Sequence, residues 1–352
     1  NNSIVVGNTG STSALQNHSN CSFHHSCTLP LPTTGVGNIA EDPQFVNTAA
    51  GDFHLLRTSP CLNTGDNGLV AALDADLDGN PRIADGPVDM GVFERQGPPI
   101  YYVSTTGEDA QDGYSWETAK RTIQAAVDLT VDGTTVIVDD GVYDMGSRVV
   151  HGAMRNRVVI DKAITVVSRN GPDVTTISGS PDPENVLGDG AVRCVYLADG
   201  AQLIGFTLTN GATRAAGDVG REQSGGGVWC EPGAEVSNCT ISGNVATVFG
   251  GGSVGGVLIG CRLTNNFAEE LEGSNGGGAS GGRLDNCVVS GNVATNGGGT
   301  YGSNLDGCTV SDNRALNWGG GVRGGIVRNS ELIGNQADNQ DGGGAYQSEL
   351  KY

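Results

Sequence analysis

Three stretches of this sequence hold residues whose types and spacing suit chemistry. In "DADLDG", Asp74, Asp76 and Asp78 stand at alternate positions ahead of Gly79. Carboxylates at alternate positions before a turn glycine open many calcium loops, and Asp85 and Asp89 are the downstream acids that would complete such a site. The competing reading is a solvated turn in which Arg82 pairs with Asp89 or Glu94. In "HSNCSFHHSC", His18, Cys21 and His24 are zinc candidates by ligand type, with His25 and Cys27 close by. Their spacing matches no standard site. The alternative is a polar excursion closed by a Cys21–Cys27 disulfide. The third case is acid–base work. A lyase needs a base beside cation-binding carboxylates on an exposed sheet. Asp285 and Asp306 recur at one repeat position, but Arg262, Arg283, Arg314, Arg323 and Arg328 read as scattered. With no position holding both, the sequence assigns no catalytic residue, predicts no enzyme, and offers calcium as the sole cofactor. Trp229 and Trp318 read as standing alone, which argues against a glycan platform built on paired rings.

The elements that must position these residues follow from composition and periodicity. The chain has 352 residues, 58 of them Gly, with a net charge of −20. Glycine without a three-residue period excludes collagen. The acidic balance repels phosphate backbones, which disfavours nucleic-acid partners. No apolar run approaches the length of a transmembrane helix.

Between residues 225 and 352 a repeat is plain. Triple glycines begin at Gly225, Gly250, Gly276, Gly297, Gly319 and Gly342, in steps of 25, 26, 21, 22 and 23 residues. Each is followed by a segment such as "LDNCVVSGNVA" or "LDGCTVSDNRA". Cys287 and Val289 alternate with polar neighbours, the strand period of two. Gly-Asn or Asp-Asn ends the strand as a turn. A period near 22 residues with short strands and no helix is one coil of a parallel β-helix. Cys239, Cys261, Cys287, Cys308 and Ser330 should then stack inside as small core residues. Asn244, Asn266, Asn292, Asn313 and Asn335 should form a hydrogen-bonded ladder at one turn. Residues 101–180 read as a cap and first coils, with "SWETAKRTIQAAVDLT" a helix starting at Ser115. Residues 181–352 read as the coils proper. Residues 1–97 read as the last coil and closing segment of a β-helix, and residues 98–100 as a linker.

The coils and "DGYSWETAKRTIQAAVD" resemble bacterial parallel β-helix repeat proteins of the pectate-lyase-like superfamily, and the Gly/Asn coils resemble polymorphic outer-membrane-protein repeats. "SPCLNTGDNG" and "DLDGNPRIADGPVDMGVFE" are similar to the segment that closes such helices. The resemblance implies an all-β, right-handed parallel β-helix with an N-terminal capping helix. It also implies a secreted or surface-exposed bacterial protein with an adhesive or structural role, and lyase activity only in some members.

In this chain the closing segment precedes the opening cap. Ser3 to Asn8 repeats the five-residue step from Cys308 to Asn313, although Leu350 to Ser3 across the join is two residues longer than usual. The coils from residue 101 onward rise roughly 40–50 Å at strand spacing, while the segment 95–100 reaches about 20 Å. Residues 1–97 are therefore expected to complete a preceding copy, a heterologous contact that propagates. Two forms of this contact are open, one period of a giant tandem polypeptide or separate chains that donate strands to each other, and the lack of an initiating Met or leader in the sequence favours the first. The function expected from sequence is a head-to-tail repeat of an extracellular filament or giant surface protein. The alternatives are a polysaccharide lyase and a glycan-binding module. The partners are identical copies and surface glycans, with no nucleic acid.

Overall fold

The structure is a computed structural model that describes residues 1–9, 17–56, 59–70, 72–84, 86–96, 100–269 and 273–351. It divides into two units, Asn1–Pro99 and Ile100–Tyr352.

Alternation builds the larger unit. In each coil a three-residue strand turns its middle residue inward. Leu284 in Arg283–Asp285 and Val289 in Val288–Ser290 are fully buried while their neighbours reach the surface. Equivalent strands of successive coils pair in parallel and in register, Leu258 beside Leu284 beside Leu305, and Leu263 beside Val289 beside Val310. Four stacks result among the described residues. The first sheet has ten strands, from Ile100–Val103 to Glu349–Lys351, and the second has eight, from Gly141–Tyr143 to Glu331–Ile333. The third has nine, from Arg148–Val149, which pairs antiparallel with Arg155–Ile160, to Ala345–Tyr346, and the fourth has five short ones, from Val245–Ala246 to Gln336–Ala337. This is a parallel β-helix, with one buried cluster running from Tyr101 to Val327.

Between the second and fourth sheets every coil from Asn244 on turns on an asparagine. Asn244, Asn266, Asn292, Asn313 and Asn335 pass one hydrogen bond along the axis, each Nδ2 donating to the next Oδ1 at 2.9–3.0 Å. The same Nδ2 also donates to a strand carbonyl one coil back, as Asn292 does to Leu263. The cysteine column beside it is structural in the same way. Cys261, Cys287 and Cys308 donate to the carbonyls of Val236, Leu258 and Leu284 at 3.3–3.5 Å. Packed directly against the asparagine turn, the glycine triplet is demanded twice over. Gly276 has a left-handed φ of +73°, and a Cβ on Gly277 would lie 2.4 Å from the Val293 carbonyl oxygen.

The helix differs from the one expected. Only Ile123–Asp128 is helical, with Thr122, not Ser115, as N-cap; its side chain accepts from the Ala125 amide. The residues before it are drawn into strand pairing: the Lys120 amide donates to Tyr102 and the Lys120 carbonyl accepts from Ser104. Ser115 instead closes a local turn with Thr118. Ile123, Ala126 and Val127 enter the core. Gln124 then lies against the third-sheet strand Arg155–Ile160, its Oε1 accepting from the Val159 amide at 2.8 Å and its Nε2 donating to the Val159 carbonyl at 3.2 Å. The side-chain amide thus takes the place of a neighbouring strand's peptide.

The smaller unit contains a short parallel ladder, Ile4–Val5 beside Cys27–Thr28 with a bridge onward to Ile39. A hairpin of Phe45–Asn47 and Asp52–Leu55 follows. The closing segment is held by a buried ion pair, Arg82 Nη1 to Glu94 Oε2 at 2.7 Å.

The asparagine ladder gives a stability prediction. Asn292→Leu takes the Nδ2 donor from the Leu263 carbonyl and the acceptor from the Asn266 amide in the core, while the amide of residue 292 still reaches Asn313 Oδ1 and Asn266 Nδ2 keeps the Ile241 carbonyl. It is expected to cost on the order of 3–5 kcal/mol. Ser290→Ala on the outer face is expected to stay within about 0.5 kcal/mol. Urea unfolding of the two variants against the parent measures both.

Candidate functional site

Stacking coils turns one outward position into a column of side chains. On the third sheet the register places Tyr196 beside Trp229, and Tyr301 beside Arg323 beside Tyr346. The Arg323 guanidinium lies 5.5 Å from the Tyr301 ring and 5.0 Å from the Trp318 ring. Trp318, from the loop before the glycine triplet, stacks on Tyr346 at 6.0 Å and 26°. The two tryptophans read as solitary are therefore both paired: Trp229 lies flat on Tyr196, 5.6 Å apart at 7°. Their partners sit about a coil away in sequence, which hid the pairs. Tyr301, Trp318, Arg323 and Tyr346 remain partly exposed. They form a cluster of stacked rings with a cation lying over two of them, an arrangement suited to planar or ring-shaped polar ligands.

The first sheet carries a second column. Asp285 pairs in register with Asp306, Asp306 with Arg328, and Arg328 with Lys351. Two carboxylates are followed by two cations on consecutive coils, all at least partly exposed. Asp285 also holds Arg283 at 2.8 Å, and Asp306 accepts from Asn329 at 2.9 Å. The expectation that no position gathers acids and a base on neighbouring rungs is corrected here. All three residues from Asp285 to Arg328 stand two places before the Cys287, Cys308 and Ser330 slots. That shared offset was the signal that the scattered reading missed.

A polar knot seals the lower part of the third sheet. Arg193 is fully buried, donating to Asn156 Oδ1 and to the carbonyls of Gly225, Arg221 and Ser224. Nearby, Glu222 accepts from the amides of Ala153 and Asp218 at 2.7 and 2.8 Å and pairs with Arg214. These bonds, the Ala153 amide foremost, hold its carboxyl down at about 2. The loop they fix carries the Gly220 carbonyl, which receives the Trp229 indole N–H at 2.8 Å.

The metal candidates are placed apart or committed elsewhere. Asp76 accepts from the amides of Asp78, Asn80 and Glu94. Asp78 bonds His54 Nε2 at 2.6 Å, and Asp52 holds the other ring nitrogen at the same distance. The two carboxylates, Asp78 first, raise the His54 pKa. Asp74 contributes its carbonyl to the Arg82 amide. Asp89 accepts from the Asn63 and Arg95 amides, and Asp85 lies outside the described residues. His18 bonds the Pro30 carbonyl, Cys21 is exposed and donates to Ser19, and His24 uses its carbonyl to receive the Asn2 amide. Among the described residues no three His, Cys, Asp or Glu side chains converge as metal ligands. Neither the calcium set Asp74, Asp76, Asp78 nor the zinc set His18, Cys21, His24 gathers a coordination sphere. The Cys21–Cys27 bridge is absent too, since Cys27 is buried against Cys61.

No family model and no curated protein sequence matches this chain. Solved structures are similar to it. Pectate lyase Pel9A aligns over 67% of this chain and 55% of its own, at 15% identity and a TM-score of 0.41. The alignment thus spans little more than half of that lyase. A rhamnogalacturonan lyase aligns over 68% of this chain and 70% of its own, at 13% identity and 0.41. Pectin methylesterase PemA from Erwinia chrysanthemi aligns over 71% and 89%, at 10% identity and 0.40. The shared feature is the fold, a right-handed parallel β-helix. The expectation that the chain is no enzyme does not stand. The structures it is similar to carry enzyme names, a likeness of fold alone, and the acid-and-cation column removes the argument on which that expectation rested.

The knot around Glu222 sets a pH dependence. Its folded pKa lies below the ordinary value of 4.5. The stability it contributes is therefore present above about pH 4.5 and lost as pH falls towards 2. In protein whose Trp116 and Trp318 are replaced by Phe, Trp229 fluorescence is expected to shift over that window. Glu222→Gln is expected to show the acid-state emission already at neutral pH.

Proposed function

We propose that this chain is a module of a longer extracellular or cell-surface β-solenoid. Residues 1–9 of one copy would continue the coil that Glu349–Lys351 opens in the preceding copy. Ser3 carries this reading, because it has the marks of the cysteine slot. A residue with left-handed φ precedes each slot: Asn286 at 51°, Gly307 at 65° and Asn329 at 46° in the large unit, Asn2 at 49° and His25 at 47° in the small one. The slot side chain bonds the carbonyl two residues back, as Cys308 does to Asp306, Ser3 to Asn1 and Ser26 to His24. The slot amide donates to the next slot's side chain, Cys308 to Ser330 and Ser3 to Ser26. The following residue's amide returns to the previous slot carbonyl, Glu331 to Cys308 and Cys27 to Ser3. Ser3 and Ser26 therefore behave as the rungs that would follow Ser330. The edge such a rung would meet is lined by Val327, Ser330, Leu332 and Leu350.

In this reading the solenoid serves as a rod held by continuous backbone hydrogen bonding, displaying its surface columns at coil spacing. Hydrogen exchange on two copies fused in one chain tests it. At the junction the amides of Gly334 in the first copy and Ile4 in the second are expected to slow by at least roughly tenfold relative to a single copy. Unchanged exchange at both would remove the proposal.

The platform of Tyr301, Trp318, Arg323 and Tyr346 favours a second role, the binding of glycans along the third sheet. Sugar rings stack on such faces, and the guanidinium recognises hydroxyl or carboxylate groups. Affinity electrophoresis through gels holding soluble neutral or acidic polysaccharides is expected to retard the protein. Trp318→Ala and Arg323→Ala should each restore free migration.

A further inference from the structure

Of the nine cysteines, those packed against one another occur in two settings. In the solenoid, the stacked thiols point the same way and donate to carbonyls one coil back, a geometry poorly suited to bridging. In the smaller unit, Cys27 and Cys61 are packed in one buried cluster, with Cys27 Sγ donating to the Glu41 carbonyl at 3.2 Å. Both are fully buried in a three-residue cluster with Met90, and their side chains are hydrogen-bonded to each other. They come from different elements. Cys27 lies on the strand Cys27–Thr28, fixed by its amide to the Ser3 carbonyl. Cys61 lies in the turn that opens the closing segment, fixed by Ser59 Oγ and by the Met90 amide on its carbonyl.

We propose that Cys27 and Cys61 form an intramolecular disulfide that ties the ladder of the smaller unit to its closing segment. The inference rests on the extracellular placement proposed above only for the supply of oxidant, a small-molecule or protein disulfide. The Cys27 thiolate, favoured by the hydrogen bond from Cys61 that lowers its pKa, attacks one sulfur of that disulfide and releases one thiol. Cys61 then attacks the mixed disulfide at the Cys27 sulfur and releases the second. The two protein thiols lose two electrons and two protons, and the external disulfide is reduced to two thiols. Because both sulfurs are sealed in the folded unit, the exchange belongs to its folding, before Met90 closes over them.

The test is a disulfide map of the full chain. The protein is refolded in a mixture of reduced and oxidised glutathione, blocked with an alkylating reagent under denaturing conditions, and digested without reduction. Mass spectrometry is expected to find one peptide pair, joined through Cys27 and Cys61 and lighter by two hydrogens, with the other seven of the nine cysteines alkylated. Cys61→Ser is expected to yield Cys27 in alkylated form. Recovery of Cys27 and Cys61 both alkylated in the parent, or Cys27 joined to Cys21, overturns the proposal. Neither outcome touches the solenoid reading, which the junction amides report separately.

Discussion

Hydrogen bonding in register along the solenoid axis is the constraint on which the rest of the structure depends. The Asn244–Asn335 ladder fixes one residue per coil at a turn, and from Asn244 to Asn313 each buried carboxamide is held by partners from the coils on either side. A coil shifted by one residue would turn its whole inward set to solvent and strand a buried amide. Coil length is free only where this constraint is absent. The repeat steps vary between 21 and 26 residues, and from Gly250 onward all of the variation falls between the asparagine turn and the next glycine triplet.

Register also determines what the surface can do. A compact enzyme fold gathers its working residues from loops distant in sequence. Here they accumulate as columns, one residue per coil, at a fixed offset from the buried slots. Arg323 on the third sheet and Arg328 on the first are separated by the turn at Gly324–Gly325 and a single short strand. One coil thus supplies a cation to both the aromatic platform and the acidic column. Ring–guanidinium contacts of the kind around Arg323 are worth about 0.5–1 kcal/mol when exposed. Their importance lies in holding the charge in place rather than in stability.

The coils were legible because their signal is periodic. Glycine triplets, the asparagine step and the alternation around Cys287 each follow from a backbone requirement that only a few residue types meet. The helix was legible as an apolar stripe but not in its limits, since pairing between Lys120 and Tyr102 overrode local helix propensity from Ser115 to Arg121. The surface columns were half legible. Asp285 and Asp306 were recognised as stacked, yet Arg328 was read as scattered because its offset of two from the Ser330 slot was not compared with theirs. Trp229 and Trp318 were misjudged because their stacking partners, Tyr196 and Tyr346, were not aligned with them. In the smaller unit, alternate aspartates carried the form of a cation loop. The contact that claims Asp78, His54 Nε2, comes from a hairpin whose approach no local pattern encodes.

Gln124 has one further consequence. Its carboxamide engages both the amide and the carbonyl of Val159, so an incoming strand finds neither donor nor acceptor free at that point of the sheet edge. In a chain built almost wholly of stackable strands, such a plug works against uncontrolled amyloid-like polymerisation. Removing it would expose a template in a protein otherwise well suited to becoming one.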